Sequence, residues 1–169
     1  DMDAIEEITP YVSQTTLDNI SPGAMEAQIG GKLMGLPVAA GARILVINKN
    51  LTDKVPSSLE ELRREAIRVK SGRDKYGLVM VGKKHTELTD FAYYFYGAGG
   101  SFFEMMNDGT FGKCTVNSDA GIKALSFMDE LANKDKVVQD GFLSLDRYTS
   151  HPIFYSGDAA YCMIGAWAE

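Results

Sequence analysis

The chain has 169 residues, a net charge of -6, 45% hydrophobic residues and 2 cysteines, an ordinary composition for a globular protein. A chain of this length buries roughly 70% of its unfolded surface, so it needs neither disulfides nor metal for stability. Its 17 Lys and Arg residues are scattered among 23 carboxylates, which argues against nucleic-acid binding. No apolar run approaches the roughly 18 residues of a membrane-spanning helix.

The first part of the chain contains short elements. Helical patterns occupy residues 1–29, and Ser21-Pro22-Gly23 predicts the start of a helix over 24–27. Gly30-Gly31 predicts a turn into an extended segment over 32–38.

Strands and helices alternate from residue 43 onward. The apolar, β-branched run 43–48 is typical of a strand covered on both faces. A capping box of Ser57 with Glu60 predicts a helix with an apolar stripe on one face. The stripe consists of Leu59, Leu62, Ala66 and Val69. The run 76–81 predicts a second buried strand.

A helix is predicted over 86–96, ended by the glycines of 97–100. Asn107-Asp108-Gly109 predicts the turn of a small hairpin. Ser118 then caps a third amphipathic helix. The apolar residues aligned on that helix are Ile122, Leu125, Met128 and Ala132.

The last elements complete an α/β pattern. A short helix over 147–156 tolerates Pro152 and ends at Gly157, and residues 159–164 form a final strand. Strands that alternate with helices predict an α/β sheet.

Signals for catalysis are weak. Neither His85 nor His151 has a partner at a metal-ligand interval, and both are interpreted as ordinary helix or loop histidines. The glycines of 97–100 follow a helix, whereas a phosphate cradle precedes one, so they are interpreted as a helix end. Cys114 and Cys162 could pair in an oxidising compartment, although two buried free thiols are favoured.

Aromatic residues crowd the helix over 86–96, and core packing is the favoured role for them. They are Phe91, Tyr93, Tyr94, Phe95 and Tyr96.

The strand ends carry the best binding candidates. Gly165-Ala166-Trp167 follows the final strand, at the edge where open α/β sheets bind ligands. Gly41-Ala42-Arg43 precedes the first strand, and the polar segment 82–87 follows the second. A flat indole beside convergent polar groups suits a sugar ring. From the residues alone, both core packing and ligand contact remain open for Trp167.

Short motifs also follow one another at characteristic intervals, at residues 3–10, 31–37, 47–51, 55–62, 76–78, 99–100, 154–160 and 165–167. This succession resembles the extracellular solute-binding proteins of ABC sugar importers, the group that includes maltose-binding protein. The resemblance implies an α/β chain forming one lobe of a type II periplasmic-binding-protein fold, a three-layer α/β/α arrangement with a small open sheet. Residues 1–40 would be a remnant of the N-lobe leading into the hinge strand. Residues 41–169 would be an incomplete C-lobe, and the chain a fragment of a longer protein.

The resemblance also implies a ligand site. It places 39–43 at the hinge crossing, brings Glu87 or its neighbours His85 and Thr86 into the cleft, and stacks Trp167 on sugar. The predicted ligand-binding residues are Trp167, Gly165, Arg43, Gly41, His85 and Glu87. No catalytic residue, metal or cofactor is predicted.

The implied function is a carbohydrate-binding component that captures solute between two lobes and delivers it to a membrane permease. Its partners would be a sugar and the ABC permease subunits, with no nucleic acid, and the protein would be a periplasmic or extracellular monomer, with lipid anchoring an option for the full length. The isolated chain would bind sugar weakly, because only one face of the ligand is desolvated. The alternatives are a small α/β sugar-modifying enzyme using His85, Glu87 or Arg43, a binding protein for a non-sugar solute, and a regulatory module.

Overall fold

The computed structural model describes residues 4–21, 28–39, 41–83 and 87–165. The chain divides into two units. The first comprises Asp1–Ala42 and Phe103–Lys113, and the second comprises Arg43–Phe102 and Cys114–Glu169. The helix predicted over 24–27 lies outside the described residues.

The first unit holds short elements. A 3-10 turn at Thr9–Tyr11 precedes helix α1, Gln14–Asp18, and strands β1, Gln28–Ile29, and β2, Lys32–Leu33, pair antiparallel. The predicted turn between these strands is confirmed, because Gly30 and Gly31 have φ of 58° and 78°. The predicted extended segment contributes only β2 to a sheet.

The predicted hairpin is also confirmed. Strand β5, Phe103–Met105, pairs with β6, Phe111–Cys114. Gly109 has φ of 80°, which suits the tight turn between them.

The second unit is built on a mixed sheet in the order β3-β7-β4. Its strands are β3, Arg43–Ile47, β4, Tyr76–Val79, and β7, Ala159–Gly165. β3 runs antiparallel to β7 and β4 runs parallel to it. The last strand of the chain therefore occupies the centre of the sheet.

The strand order corrects one prediction. The run 43–48 was expected to be covered on both faces, but β3 is an edge strand and Ile44 is 48% exposed. The buried central position belongs to β7, whose Tyr161 and Cys162 are almost inaccessible.

Helices pack on both faces of this sheet. They are α2, Leu59–Gly72, α3, Glu87–Gly97, α4, Asp119–Asp129, and α5, Arg147–Tyr155, with a π-helical turn at Glu130–Lys134 and a 3-10 turn at Phe142–Ser144. Leu78 and Tyr161 face the core formed with α2, α3 and α4. The alternate residues Val79 and Cys162 face α5. The result is a three-layer α/β/α arrangement.

The start of α2 differs by one residue from the prediction. Ser58, not Ser57, is the N-cap, and its hydroxyl accepts a hydrogen bond from the Glu61 N–H at 3.1 Å. The Glu61 carboxylate, not Glu60, reaches back to accept from the Ser57 N–H at 2.8 Å. Because the helix begins at Leu59, Glu61 is its third residue, and its carboxylate reaches back to the residue that precedes the N-cap. The predicted apolar stripe is confirmed for Leu62, Ala66 and Val69, which are buried.

The buried face of α4 also differs. Ser118 caps the helix as predicted, but Ile122 and Leu125 are 62% and 60% exposed. The helix instead buries Gly121 and Ala124, whose small size allows close packing of α4 against α3. A Cβ at Gly121 would meet the Val116 carbonyl oxygen at 2.1 Å.

The prediction of core packing for the aromatic residues of α3 is confirmed only in part. Tyr94 and Phe95 are buried in the core, whereas Tyr96 is 59% exposed. Gly99, with φ of 82°, follows the helix end, and the Gly100 N–H donates to the Phe95 carbonyl at 2.9 Å. The glycine run is therefore a helix end.

Both cysteines are free. Cys162 is buried in β7, but Cys114 is exposed at the end of β6, so the expectation of two buried thiols is half wrong. Burial raises the pKa of the Cys162 thiol, which keeps it protonated and unreactive.

Candidate functional site

The register of the sheet places predicted site residues at one end of its strands, where β7 ends and β3 begins. We refer to this end of the sheet as its carboxyl edge. Arg43, the first residue of β3, lies opposite Gly165, the last residue of β7. Because β4 runs parallel to β7, it ends toward the same edge. Gly41 is exposed and precedes β3 by two residues.

The other predicted ligand residues are less completely described. Glu87 is the first residue of α3, but its side chain lies outside the described set. His85 and Trp167 lie outside the described residues, so their predicted roles remain predictions.

A cavity of about 260 Å³ lies at this edge, and we call it the edge site. It is formed by the start of β3, the residues after β4, the first turns of α3 and the start of α5. Its lining residues are Arg43, Val81, Thr89, Asp90, Arg147, Tyr148 and His151.

Asp90 is the most deeply buried charged residue of the edge site, at 5% exposed. Its Oδ2 accepts a hydrogen bond from the Val81 N–H at 2.7 Å, which joins α3 to the chain leaving β4. Burial raises the pKa of Asp90 to about 7, and the hydrogen bond and the positive charge of Arg43 only partly oppose this. Near neutral pH this carboxyl is therefore a mixture of acid and carboxylate.

Arg43 also acts on Tyr93, one turn of α3 beyond Thr89. Burial raises the pKa of the Tyr93 hydroxyl, and the charge of Arg43 opposes that rise. Arg43 thus faces two polar groups of α3.

His151 lies on the α5 side of the edge site, and its pKa responds to the positive charges nearby. Its pKa is lowered by burial first, and then by the positive charges of Arg43 and Arg147. Arg147 is held in place by Tyr148, because its Nη2 donates to the Tyr148 hydroxyl at 2.7 Å and its guanidinium lies 4.8 Å from the ring centroid. The imidazole is therefore neutral at pH 7, in a positive environment.

The walls of the edge site are braced from behind. Buried Gln139 accepts from the Met80 N–H at 3.0 Å and donates both to the Met80 carbonyl and to Ser150 Oγ, the latter at 3.3 Å. These bonds join the end of β4 to α5. The start of α5 is fixed in turn by a capping box of Asp146 with Thr149. The site is thus preorganised.

A second concave region, the α2–α4 groove, has a volume of about 1040 Å³. It is lined by residues of α2, the end of α3 and α4, among them Arg63, Ile122 and Glu130. Arg63 forms ion pairs with Glu130 and Asp135.

Sequence reasoning missed much of the edge site. Asp90, Arg147 and Tyr148 were not among the predicted ligand residues, and His151 was interpreted as an ordinary histidine. A lone aspartate within an otherwise aromatic helix was an available signal for Asp90, because a carboxyl among aromatic residues is expensive to bury.

Metal-binding clusters and membrane-spanning helices are absent from the residues that the structure describes. Over residues 4–21, 28–39, 41–83 and 87–165, no group of three His, Cys, Asp or Glu side chains could hold a metal ion. Among the helices in those ranges, none has the length and apolar character to cross a bilayer.

Comparisons with known proteins also indicate a binding protein. A family model described as bacterial extracellular solute-binding protein matches residues 1–169. A putative binding protein of Brucella abortus (strain 2308) is 31% identical over 145 residues, covering 82% of this chain and 33% of the relative. The chain therefore spans about a third of the length of that curated relative.

Solved structures share the fold of this chain over part of their own length. A Thermus thermophilus maltotriose-binding protein bound with maltotriose is 28% identical, with a TM-score of 0.75 over 97% of this chain and 43% of that one. An ABC transporter solute-binding protein from Agrobacterium radiobacter K84 in complex with ribitol is 26% identical, with a TM-score of 0.78 over 95% of this chain and 42% of that one. These likenesses confirm the predicted α/β class and the type II periplasmic-binding-protein fold.

Proposed function

Because this chain belongs to the family of bacterial extracellular solute-binding proteins, we propose that it is the sugar-binding part of an ABC importer component. Residues 1–40 would then belong to an N-lobe and 41–169 to a C-lobe. The site would be the edge site of the second unit, completed by Trp167. Its role would be to hold solute by reversible contacts and present it to permease subunits.

The edge site is the observation that carries this proposal. A buried carboxyl, two arginines and a phenol converge at the strand ends, where sugar hydroxyls could exchange water for fixed donors and acceptors. Trp167 stands two positions after Gly165, the last residue of β7, in the sequence. An aromatic face beside such groups is suited to the C–H face of a sugar ring.

The remaining parts of the proposal follow from the family. The protein would act in the periplasm or outside the cell, as a monomer and without a nucleic-acid partner. It would not be an enzyme, and a bound sugar would be released chemically unchanged. Affinity for the isolated chain would be weak, with a Kd of about 1 mM or about -4 kcal/mol, because one sugar face stays in water.

Trp167 provides the test, since it is the single tryptophan of the chain. We expect its fluorescence to shift and saturate when maltose, maltotriose or ribitol is titrated into the 169-residue chain. Arg43→Gln should weaken this binding about tenfold, and Arg73→Gln, an equal charge change outside the edge site, should not. Unchanged emission with every sugar at about ten times the expected Kd would contradict the proposal, and so would recovery of a modified sugar by mass spectrometry.

A further inference from the structure

Three aromatic side chains form a row on one face of α5, and we call this row the α5 stripe. Tyr148, His151 and Tyr155 are separated by three and then four residues, so they lie on the same side of a helix with about 3.6 residues per turn. Tyr148 is 73% exposed and Tyr155 is 54% exposed. Adjoining exposed apolar side chains mark an interaction surface, whereas isolated ones do not.

The α5 stripe is continuous with the edge site. Tyr148 and His151 line the cavity of the edge site, and Tyr155 does not. The centroids of the His151 and Tyr155 rings are 6.4 Å apart, and the rings stand edge to face at 80°. A ligand that extends from the edge site along α5 therefore meets Tyr155 next after His151.

The opposite side of α5 anchors the helix. Ser150 is fully buried and accepts the hydrogen bond from Gln139. Ile153 and Phe154 pack against the cluster on the α5 face of the sheet. The two tyrosines of the α5 stripe therefore project from a helix that is already fixed, and a ligand does not have to order α5 when it binds.

The length of the α5 stripe indicates the size of its ligand. Seven residues separate Tyr148 from Tyr155, which corresponds to a rise of about 10.5 Å along the helix. A single hexose ring is shorter than this span, so a monosaccharide in the edge site leaves Tyr155 uncovered. Aromatic rings suit the C–H faces of sugars, and the tyrosine hydroxyl can bond to sugar hydroxyls. Successive rings along one helix face therefore suit successive units of one sugar chain.

Resting on the proposed function, we propose that the α5 stripe is a second subsite, which with the edge site takes a linear oligosaccharide of about two or three units. A terminal unit occupies the edge site and contacts Tyr148. The following units lie along α5 against His151 and Tyr155. Monosaccharides fill the edge site alone and bind more weakly, because they leave the apolar surface of Tyr155 in water.

The first experiment compares sugars of increasing length on the 169-residue chain, by Trp167 fluorescence and by calorimetry. Glucose, maltose and maltotriose form one series. Glucose, cellobiose and cellotriose form a second, which differs in the configuration of the linkage and hence in the direction of the chain. We expect the trisaccharide of at least one series to bind about 5- to 10-fold more tightly than glucose.

Variants then locate the additional units. Tyr155→Ala should weaken trisaccharide binding about 5-fold and glucose binding less than about twofold, and Tyr155→Phe, which keeps the ring, should retain at least about half of the gain with chain length. Tyr148→Ala should weaken both sugars alike, because Tyr148 lines the edge site.

Tyr96→Ala is the matched control for Tyr155→Ala. Tyr96 is exposed to a similar degree near the end of α3, and each of the two tyrosines contacts two other aromatic rings. Tyr96 lies outside both the edge site and the α5 stripe, so its removal should change neither glucose nor trisaccharide affinity. Circular dichroism of each variant confirms that it is folded.

The outcomes separate this inference from the proposed function. Equal affinities for glucose and both trisaccharides would overturn the second subsite and leave sugar binding at the edge site intact. A gain with chain length that persists in Tyr155→Ala would place the additional units elsewhere and overturn the role of the α5 stripe. Absence of binding by every sugar would overturn the proposed function, and this inference with it.

Discussion

The edge site and the α2–α4 groove are both concave, yet the groove measures about 1040 Å³ and the edge site about 260 Å³. In the groove, Arg63 is paired with Glu130 and Asp135, and Arg64 with Glu61, so its arginine charges have local partners. Among the described residues that line the edge site, Arg43 and Arg147 accompany the buried carboxyl of Asp90, which is only partly ionised near pH 7.

We therefore propose the edge site as the binding site because polar groups converge there, although the groove is larger. A small polar ligand gains little binding free energy in a large, open groove whose charges neutralise each other. Binding in a small cavity whose carboxyl is buried and fixed gains more, because Asp90 is already desolvated.

The largest effect should come from the core behind the groove. Leu131 is fully buried in the turn after α4, and Leu131→Ala should lower the free energy of unfolding by about 2–5 kcal/mol through lost burial and a new cavity. Ile122 is 62% exposed on the groove wall, and Ile122→Ala should change that free energy by less than about 0.5 kcal/mol. Urea denaturation measures both, and equal losses would contradict the exposure of Ile122 on the groove wall.

The next effect concerns the brace behind the edge site. Gln139→Leu would leave the Met80 backbone groups and Ser150 Oγ buried without their partner, which should cost about 2–4 kcal/mol. The control is Asp140→Asn on the neighbouring exposed residue, expected to be nearly neutral. Urea denaturation is again the measurement, and a neutral Gln139→Leu would mean that the walls of the edge site are not braced by this amide.

A third test uses the pH dependence of stability. Folding raises the pKa of Asp90 from 3.8 to about 7, so the folded state keeps a proton that the unfolded state releases. The stabilisation from Asp90 is therefore complete below about pH 4 and is lost as pH rises through about 7.

Asp90→Asn removes this titration while keeping an oxygen acceptor for the Val81 N–H. Between pH 5 and pH 8, the stability of the variant relative to the parent chain should rise by about 2–3 kcal/mol. Denaturation curves at several pH values measure the difference. A difference that stays constant with pH would show that Asp90 titrates normally, and would weaken the contrast between the two concave regions.

The smallest effect should come from the groove itself. Arg63→Met removes two ion pairs that are only partly exposed and should cost about 1–2 kcal/mol, because water screens such pairs in part. Sugar affinity should be unchanged. A tenfold loss of sugar affinity in this variant would place the ligand in the groove and reverse the comparison.

Prediction from sequence succeeded where neighbours in the chain decide the structure. The Ser118 cap, the turn at Gly109 and the helix end at Gly99 each depend on a few adjacent residues. It failed for Ile44 and for Ile122, whose exposure depends on which strand occupies the centre of the sheet and which face of α4 meets α3.

The sequence by itself determined the alternation of strands and helices, the order of the motifs and the candidate status of Arg43 and Gly165. Only the tertiary structure placed β7 between β3 and β4, set Arg43 opposite Gly165, and brought Asp90 and His151 into the same cavity as Arg43. The physical reason is that strand order and helix faces are chosen by long-range packing of apolar surface, which local residue preferences do not encode. The edge site is a product of that packing, because its charged groups come from elements far apart in the chain.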